Sequence, residues 1–285
     1  MRRDDERLAD IIEAADKIAV RAAKMERTLM ASSTTVEAAR RALGPVGAFL
    51  PVPTTSAPPI DLQRDAVRRL ERAGYRAAWT NETVGGKDAL VQLAVLMAAT
   101  ERMVFGTGIA NIWARSPQTA HGAAALLAQA YPGRFVLGLG VGYPQQADSV
   151  GREFGRPLAT MRDYLDQMAA PTQLPAPDVA YPRIIGANGP KMLALAGEIT
   201  DGAMPAGQPP EFTAQARQVL GPDKLLVIFM QADAEQGDAS AIAATVREHT
   251  AAGADHVIAG QPIGTDFAGG VDYLEQLAPA LAEVP

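Results

Sequence analysis

The chain has 285 residues, of which 48% are hydrophobic and 20% charged, and its formal net charge is -6. This balance is typical of a globular protein with a full core, and the negative charge argues against nucleic acid and anionic membrane as partners. The sequence contains no cysteine, so disulfides, thiolate metal sites and a cysteine nucleophile are excluded. The 3 histidines lack the spacing of metal ligands, and we expect no metal.

The first 33 residues form a predicted helical extension. Apolar side chains recur at helical spacing between Leu8 and Leu29, which predicts one long amphipathic helix. Residues 34–285 form the predicted second unit, whose first helix should begin near Thr34 and stop at Gly44. An acidic run follows the initial methionine and two arginines where a secretory signal would be apolar, and no apolar stretch is long enough to span a membrane. We therefore expect a cytoplasmic protein.

From Val46 onward, short apolar runs alternate with helical patterns, which is typical of parallel βαβ units. Eight units in series favour a closed (β/α)8 barrel, with an open doubly wound sheet as the alternative. Gly74 and Gly253 are predicted to close helix–strand turns with a positive φ. The predicted strands are Val46–Leu50, Ala77–Thr80, Val104–Ala110, Phe135–Val141, Arg183–Gly186, Gly202–Pro205, Leu225–Gln231 and His256–Ala259. The predicted helices after them are Leu62–Ala73, Ala89–Ala99, Pro117–Gln129, Pro157–Met168, Pro190–Glu198, Pro210–Leu220, Ala239–Ala252 and Val271–Leu281.

The loops after the strands should carry the chemistry, because active sites of such barrels form at the carboxyl ends of the strands. The glycine-rich run 138–142 suggests a dinucleotide fingerprint, but Tyr143 stands where the third glycine should be. Two explanations of these glycines remain open. They let a planar ring lie close to the backbone, or they relieve crowding at the mouth of the barrel.

A second candidate is the strand–turn–helix junction at residues 185–191. Gly189 leaves room for a ligand, Pro190 opens a helix, and the N–H groups of its first turn form an anion site suited to a cofactor phosphate. Lys191 adds a positive charge. The alternative is a tight turn with a purely structural role.

Polar residues also follow the predicted second and third strands. Glu82 is a candidate acid or hydrogen-bonding anchor, and Asn111 and Arg115 are polar groups at the predicted mouth. A loop salt bridge or a helix cap is the alternative role for Glu82 and Arg115. His121 on a helix and His256 at the base of the last strand are predicted to be structural.

These segments resemble the luciferase-like monooxygenase superfamily and, within it, a group of coenzyme F420-dependent oxidoreductases. The most specific match is residues 131–142, which are similar to the segment joining the third helix to the fourth strand in that superfamily. Further matches lie at residues 98–111 with Arg115, and at 157–162, 189–196 and 252–257. The resemblance covers the chain from about Val36 to its end.

The resemblance implies a luciferase-like barrel that holds an isoalloxazine-like ring across its mouth, against a bulge in the third strand. By position, the non-prolyl cis peptide of that bulge falls at Gly108-Ile109. The candidate catalytic residues are Glu82, Asn111 and Arg115. The implied cofactor-binding residues are Gly108, Ile109, Ala110, Val141, Gly142, Tyr143, Ala187, Asn188, Gly189 and Pro190.

The chain departs from that family in two places. Glu82-Thr83 stands where F420-dependent sugar-phosphate dehydrogenases carry an acid–histidine pair, which leaves the proton donor open. Related chains also have several dozen residues between the seventh strand and its helix, where this chain has only residues 234–241. The shortened strand-seven insertion predicts a more open pocket, or one covered by the N-terminal helix or a second subunit.

The leading functional hypothesis is a coenzyme F420-dependent oxidoreductase that transfers a hydride between the deazaflavin and a small organic substrate. An FMN-dependent luciferase-like monooxygenase is the nearest alternative, and a barrel that binds a flavin or a partner without turnover is the third. A phosphate-binding lyase barrel ranks last, because no obvious Schiff-base lysine stands at a strand end. We expect a small-molecule substrate and a homo-oligomer, as a dimer.

Overall fold

The computed structural model describes residues 33–52, 57–232 and 238–284. The amphipathic helix predicted between Leu8 and Leu29 lies outside the described residues. The described ranges form a parallel β-barrel surrounded by helices, as the alternating pattern predicts. No helix within them is both long and apolar enough to cross a membrane.

The described part of the barrel is built from strand segments whose pairings are all parallel. The segments are β1 (Val46–Phe49), β2 (Ala77–Thr80), β3 (Val104–Thr107), β4 (Ala110–Asn111), β5 (Phe135–Gly140), β6 (Arg183–Gly186), β7 (Gly202–Met204), β8 (Leu225–Gln231) and β9 (His256–Gly260). Segments β3 and β4 are two halves of the third barrel strand, and both pair with β5. Because β3 also pairs with β2, the sheet closes into an eight-stranded barrel and is not an open doubly wound sheet.

Helices cover the outside of this barrel and connect successive strands. The described part of helix α1 covers residues 33–43. The following helices are α2 (Ile60–Arg72), α3 (Ala89–Met97), α4 (Pro117–Ala130), α5 (Pro144–Asp148), α6 (Pro157–Met168), α7 (Pro190–Ile199), α8 (Pro210–Leu220), α9 (Ala239–Ala251) and α10 (Phe267–Leu281). As expected, Gly74 and Gly253 have positive φ angles of 105° and 102° where α2 and α9 turn into the next strands.

Side chains of the strands alternate between two apolar clusters, one inside the barrel and one under the outer helices. Trp79 is the largest side chain of the inner cluster and is fully buried. A Cβ atom on Gly106 of the neighbouring strand would lie 2.2 Å from the Trp79 ring. Glycine at position 106 is therefore needed to make room for the indole.

Helix α1 closes the bottom of the barrel, at the amino ends of the strands. Val36 and Leu43 of this helix are buried against the inner cluster, and Gly44 ends the helix with a φ of 67°. Above it, His256 Nδ1 donates a hydrogen bond to the Gly44 carbonyl (2.7 Å), and Trp79 Nε1 donates to His256 Nε2 (3.0 Å). Because the indole can only donate, Nε2 must carry no proton. Burial lowers the pKa of His256 to about 4, against a smaller opposing effect of the Gly44 hydrogen bond.

Most predicted boundaries agree with the structure to within one or two residues, and three differ. The predicted strand Val104–Ala110 is interrupted after Thr107. The last helix begins at Phe267, four residues before the predicted start, because Asp266 caps it by accepting from the Gly269 N–H (2.7 Å). The short helix α5 lies in a predicted loop.

Candidate functional site

The mouth of the barrel, at the carboxyl ends of the strands, has an apolar floor at the break in the third barrel strand. The Gly108-Ile109 peptide bond is cis, which confirms the position implied by the resemblance. Both residues are partly exposed, whereas β3 just before them is buried. A Cβ on Gly108 would lie 3.4 Å from Met204 Sδ and 3.7 Å from the Phe49 ring. Phe49 in turn packs on Phe229, with ring centroids 4.7 Å apart.

The two neighbouring strands hold the break in position from both sides. The Gly108 N–H donates to the Thr80 carbonyl (2.7 Å), and the Glu82 N–H donates to the Ile109 carbonyl (3.0 Å). On the other side, Thr107 Oγ1 donates to the Gly138 carbonyl (2.7 Å) and accepts from the Gly138 N–H (2.9 Å). Main-chain groups on both flanks of the broken strand are therefore bonded, and the bulge has a defined shape.

The glycines of β5 relieve crowding, which was one of the two explanations open from the sequence. A Cβ on Gly138 would lie 2.0 Å from the Thr107 carbonyl oxygen. One on Gly140 would lie 1.6 Å from Ile109 Cδ1. The side chain of Ile109 thus lies in the space above Gly140, and the glycine there accommodates the bulge itself.

Glu82 anchors this bulge from behind with a carboxylate that is only 1% exposed. Its Oε2 accepts from the Asn111 N–H (2.8 Å) and from Arg115 Nη1 (3.0 Å). Its Oε1 accepts from the Ala89 N–H (2.9 Å) and from Arg115 Nη2. The carboxylate therefore links the end of β2 to β4, to the start of α3 and to the loop before α4.

Arg115 is held by two carboxylates, and its side chain is 9% exposed. Besides the paired contacts with Glu82, Nη2 lies 2.8 Å from Asp88 Oδ2. Asp88 also caps α3, since its Oδ1 accepts from the N–H groups of Leu90 (2.9 Å) and Val91 (3.0 Å). Burial would raise the pKa of Asp88, but the Val91 N–H and the Arg115 guanidinium lower it overall. We refer to Glu82, Asp88 and Arg115 as the anchor cluster.

Asn111 connects the bulge to the loop after β5. Its Nδ2 donates to Gln146 Oε1 (3.0 Å), and Gln146 Oε1 also accepts from the Tyr143 N–H (2.9 Å). Gly142 has a φ of 58°, and a Cβ there would lie 2.0 Å from Gln146 Oε1, so this amide contact requires glycine. The Trp113 indole N–H donates a hydrogen bond to the Val141 carbonyl (2.7 Å). Tyr143 is 72% exposed.

The strand–turn–helix junction at residues 185–191, which the sequence analysis predicts to bind a phosphate, is open to solvent at Gly189. Gly189 has extended backbone, and a Cβ there would meet no atom within 4 Å. The N–H groups of Met192 and Leu193 bond to the Gly189 carbonyl, whereas Asn188 Oδ1 accepts from the Ala206 N–H (2.8 Å). Asn188 therefore ties this loop to the one after β7, while the start of α7 faces open space.

Two of the residues that the resemblance implies as cofactor contacts have side chains buried in the outer apolar cluster. Ala110 belongs to the outer apolar cluster and is 0% exposed, so only its main chain can contact a ligand at the mouth. Ala187 belongs to the same cluster and is 2% exposed. These positions can contribute main-chain contacts only.

Lys87 is a half-buried cation that the sequence reasoning did not single out. Its Nζ donates to Thr80 Oγ1 (2.7 Å) and to the Asn81 carbonyl (2.6 Å) at the end of β2. Burial lowers the pKa of Lys87 to about 8, although the charge of Glu82 acts in the opposite direction.

The histidines lie away from the mouth, as predicted for His256. His121 Nδ1 is 2.7 Å from the Tyr181 hydroxyl, and His249 Nδ1 is 2.9 Å from Thr213 Oγ1. In the part of the chain that the structure describes, no three His, Asp or Glu side chains come together as a metal site.

The sequence placed Glu82, Asn111 and Arg115 in one site, and the structure brings these three together around one carboxylate. Their polar atoms bond to the protein, which favours a positioning role over proton transfer and leaves the catalytic role a prediction. Asp88 and Gln146 were missed. Asp88 stands directly before a helix, which is an N-cap signal, but nothing local indicates that Gln146 contacts Asn111.

Comparisons with known proteins agree with this architecture. The sequence profile of the luciferase-like monooxygenase family matches residues 45–220, which is more than half of the chain. The chain is 28% identical over 169 residues to the 5,10-methylenetetrahydromethanopterin reductase of Methanolobus tindarius, a match that covers 52% of this chain and 51% of the relative.

A Mycobacterium tuberculosis protein assigned as a coenzyme F420-dependent oxidoreductase is 30% identical over 188 residues, covering 55% of this chain and 54% of the relative. The chain thus spans about half the length of the curated relatives it matches. Among solved structures, an F420-dependent secondary alcohol dehydrogenase in complex with an F420-acetone adduct superposes with a TM-score of 0.67. That match covers 83% of this chain and 98% of the other at 16% identity, which supports the shared fold alone.

Proposed function

This chain belongs to the luciferase-like monooxygenase family, and on that premise we propose that it is a coenzyme F420-dependent oxidoreductase acting on a small organic substrate. The observation that carries the proposal is the open, apolar break in the third barrel strand at Gly108 and Ile109. The relatives at 28% and 30% identity, whose names describe a methylenetetrahydromethanopterin reductase and an F420-dependent oxidoreductase, support the choice of cofactor.

The residues of the mouth fit a flat ring with a phosphate tail. The partly exposed main chain at Gly108 and Ile109, with the Phe49–Phe229 pair beneath, forms an apolar floor for the ring. In the first turn of α7, the Lys191 N–H bonds to no described residue and lies next to the open side of Gly189, so it suits the phosphate. When bound, a deazaflavin supplies the carbon that accepts or donates a hydride.

The chain's own contribution is to fix the floor and to give it an apolar underside. The anchor cluster ties Asn111 to the end of β2 and to the start of α3, so the backbone that supports the ring cannot shift easily. The side chains below the floor are apolar and belong to the inner cluster, among them Phe49, Met204 and Phe229. The loop directly after β2, residues 81–88, contains no histidine. The proton that accompanies the hydride therefore comes from another group, from the substrate or from solvent.

Calorimetric titration of the purified chain with F420 and with FMN, each alone, tests the proposal. We expect F420 to bind one equivalent and to raise the melting temperature more than FMN. At about 100 times its Kd a ligand adds about 2.7 kcal/mol to the free energy of unfolding. Preferential binding of FMN would support the monooxygenase alternative. Absence of binding by both cofactors would contradict the proposal.

Substitution at Gly189 locates the site. Gly189→Val should leave the fold unchanged, because the backbone is extended and the added atoms meet only open space. It should weaken F420 binding by obstructing the approach of the phosphate. Gly122→Val on α4, where a Cβ also meets no atom within 4 Å, is the matched control and should bind F420 as the unmodified chain does. Equal affinities for both variants would remove the phosphate assignment.

A further inference from the structure

A cavity of about 620 Å³ lies at the bottom of the barrel, opposite the mouth. It opens between α4, the end of α6 and the segment 169–181, next to the amino end of β6. Its volume lies within the range of about 300–1,000 Å³ that small-molecule sites occupy. Apolar side chains form much of the wall, among them Met168, Ala176 and Val179.

Arg183 lines this cavity with a guanidinium that is available for a ligand. The side chain is half-buried at the first position of β6, and within residues 33–52, 57–232 and 238–284 no oxygen accepts a hydrogen bond from it. Two other arginines with largely buried side chains are paired with carboxylates: Arg115 with Glu82, and Arg217 with Asp255. A guanidinium at an apolar wall with no acceptor among these residues is suited to an anionic ligand.

His121 and Tyr181 supply a neutral donor beside this cation. His121 Nδ1 and the Tyr181 hydroxyl are 2.7 Å apart, so a single proton lies between them. Burial and then the charge of Arg183 lower the pKa of His121, and burial raises the pKa of Tyr181 to about 12. At neutral pH the pair therefore holds two protons, of which one is shared. The other remains on His121 Nε2 or on the phenol and can be donated to a ligand.

The carboxylate of Asp178 restricts the charge of that ligand. Asp178 is exposed at the rim, and Asp201 is 7% exposed with its Oδ2 accepting from the Arg183 N–H (2.8 Å). A polyphosphate would place several negative charges near Asp178, which is unfavourable. A single charge beside Arg183 avoids this repulsion, and an apolar body can then cover the remaining wall.

We propose that this cavity binds a small amphipathic monoanion, a carboxylate or sulfonate carried on an aliphatic or aromatic body. The charged group contacts Arg183 and the His121–Tyr181 pair, and the body packs on Met168 and Ala176. The site lies at the amino ends of the strands, so it is separate from the mouth, and ligand binding there does not require F420.

The test uses 8-anilinonaphthalene-1-sulfonate, whose fluorescence rises in apolar sites, and its neutral analogue N-phenyl-1-naphthylamine. The full chain should bind one equivalent of the sulfonate. Arg183→Gln should weaken that binding about tenfold or more, since it removes a charged hydrogen bond, and should leave binding of the neutral analogue unchanged. Arg102→Gln, at an exposed arginine outside this cavity, is the matched control and should have no effect.

Ala176→Trp provides a second variant that fills the cavity without changing its charge. It should abolish binding of both probes while the melting temperature stays that of the unmodified chain. The proposal is overturned if sulfonate binding does not saturate, or if Arg183→Gln binds it as tightly as Arg102→Gln does. If Ala176→Trp still bound both probes, the probes would bind outside this cavity, and the proposal would be overturned as well.

Discussion

The mouth and the bottom of the barrel are held together by different interactions. At the mouth, the buried carboxylate of Glu82 accepts hydrogen bonds from main chain and from Arg115, and glycine makes room for the broken strand. At the bottom, α1 closes the barrel with apolar side chains, and the buried His256 is neutral. The comparison indicates that electrostatic contacts determine the shape of the mouth, whereas packing and a neutral histidine determine the shape of the bottom.

The largest expected effect follows from removing the carboxylate at the mouth. Glu82→Ala leaves the Arg115 guanidinium buried without one of its partners and frees the N–H groups of Ala89 and Asn111. We expect the free energy of unfolding, measured with urea, to fall by about 3–5 kcal/mol. Glu198→Ala is the matched control, because Glu198 pairs with Arg162 on the exposed surface, and it should cause no measurable change. Equal effects of both substitutions would contradict the role of the anchor cluster.

At the bottom, the neutral His256 should make stability depend on pH. The unfolded chain takes up a proton on this histidine below about pH 6.5, but the folded chain does so only near pH 4. Acid therefore favours unfolding, and the free energy of unfolding should fall by about 3 kcal/mol between those pH values. His256→Gln, which can still donate to Gly44 and accept from Trp79, should lack this component. Parallel pH profiles for the two chains would show that His256 does not titrate as described.

A smaller effect is expected from crowding at the bulge. Gly140→Ala places a methyl group against Ile109 Cδ1 and should lower the free energy of unfolding by about 1–3 kcal/mol. Ile109→Val in the same chain removes that atom and should restore part of the loss. Gly189→Ala, where a Cβ meets open space, is the control and should change stability by less than about 0.5 kcal/mol. If Gly140→Ala left the free energy of unfolding unchanged, the Ile109 side chain could not lie above Gly140.

The strands and helices were predictable because their patterns are local. Alternation of apolar runs and helical periodicity predicted the barrel, and Gly74 and Gly253 marked turns whose backbone requires a positive φ. The position of the cis peptide at Gly108-Ile109 came from the resemblance and not from spacing. Helix α10 was predicted too short because Gly269 and Gly270 are poor helix formers, and tertiary packing overrode that propensity.

The contacts of the site were less predictable because they join distant segments. Glu82 and Asn111 are both visible as polar residues after strands, but their hydrogen bond depends on how β2 and β4 are placed in the barrel. Gly140 illustrates the same limit. A glycine at a strand end is compatible with a ligand or with a neighbouring side chain, and only the fold shows that Ile109 is that neighbour.

A crystal structure of the chain with F420 tests the central claim most directly. The account predicts that the deazaflavin ring lies across the mouth against Gly108 and Ile109. It also predicts that a phosphate oxygen lies about 3 Å from an N–H group at the start of α7. Electron density for the cofactor in the bottom cavity beside Arg183, or a ring that does not contact the bulge, would contradict it.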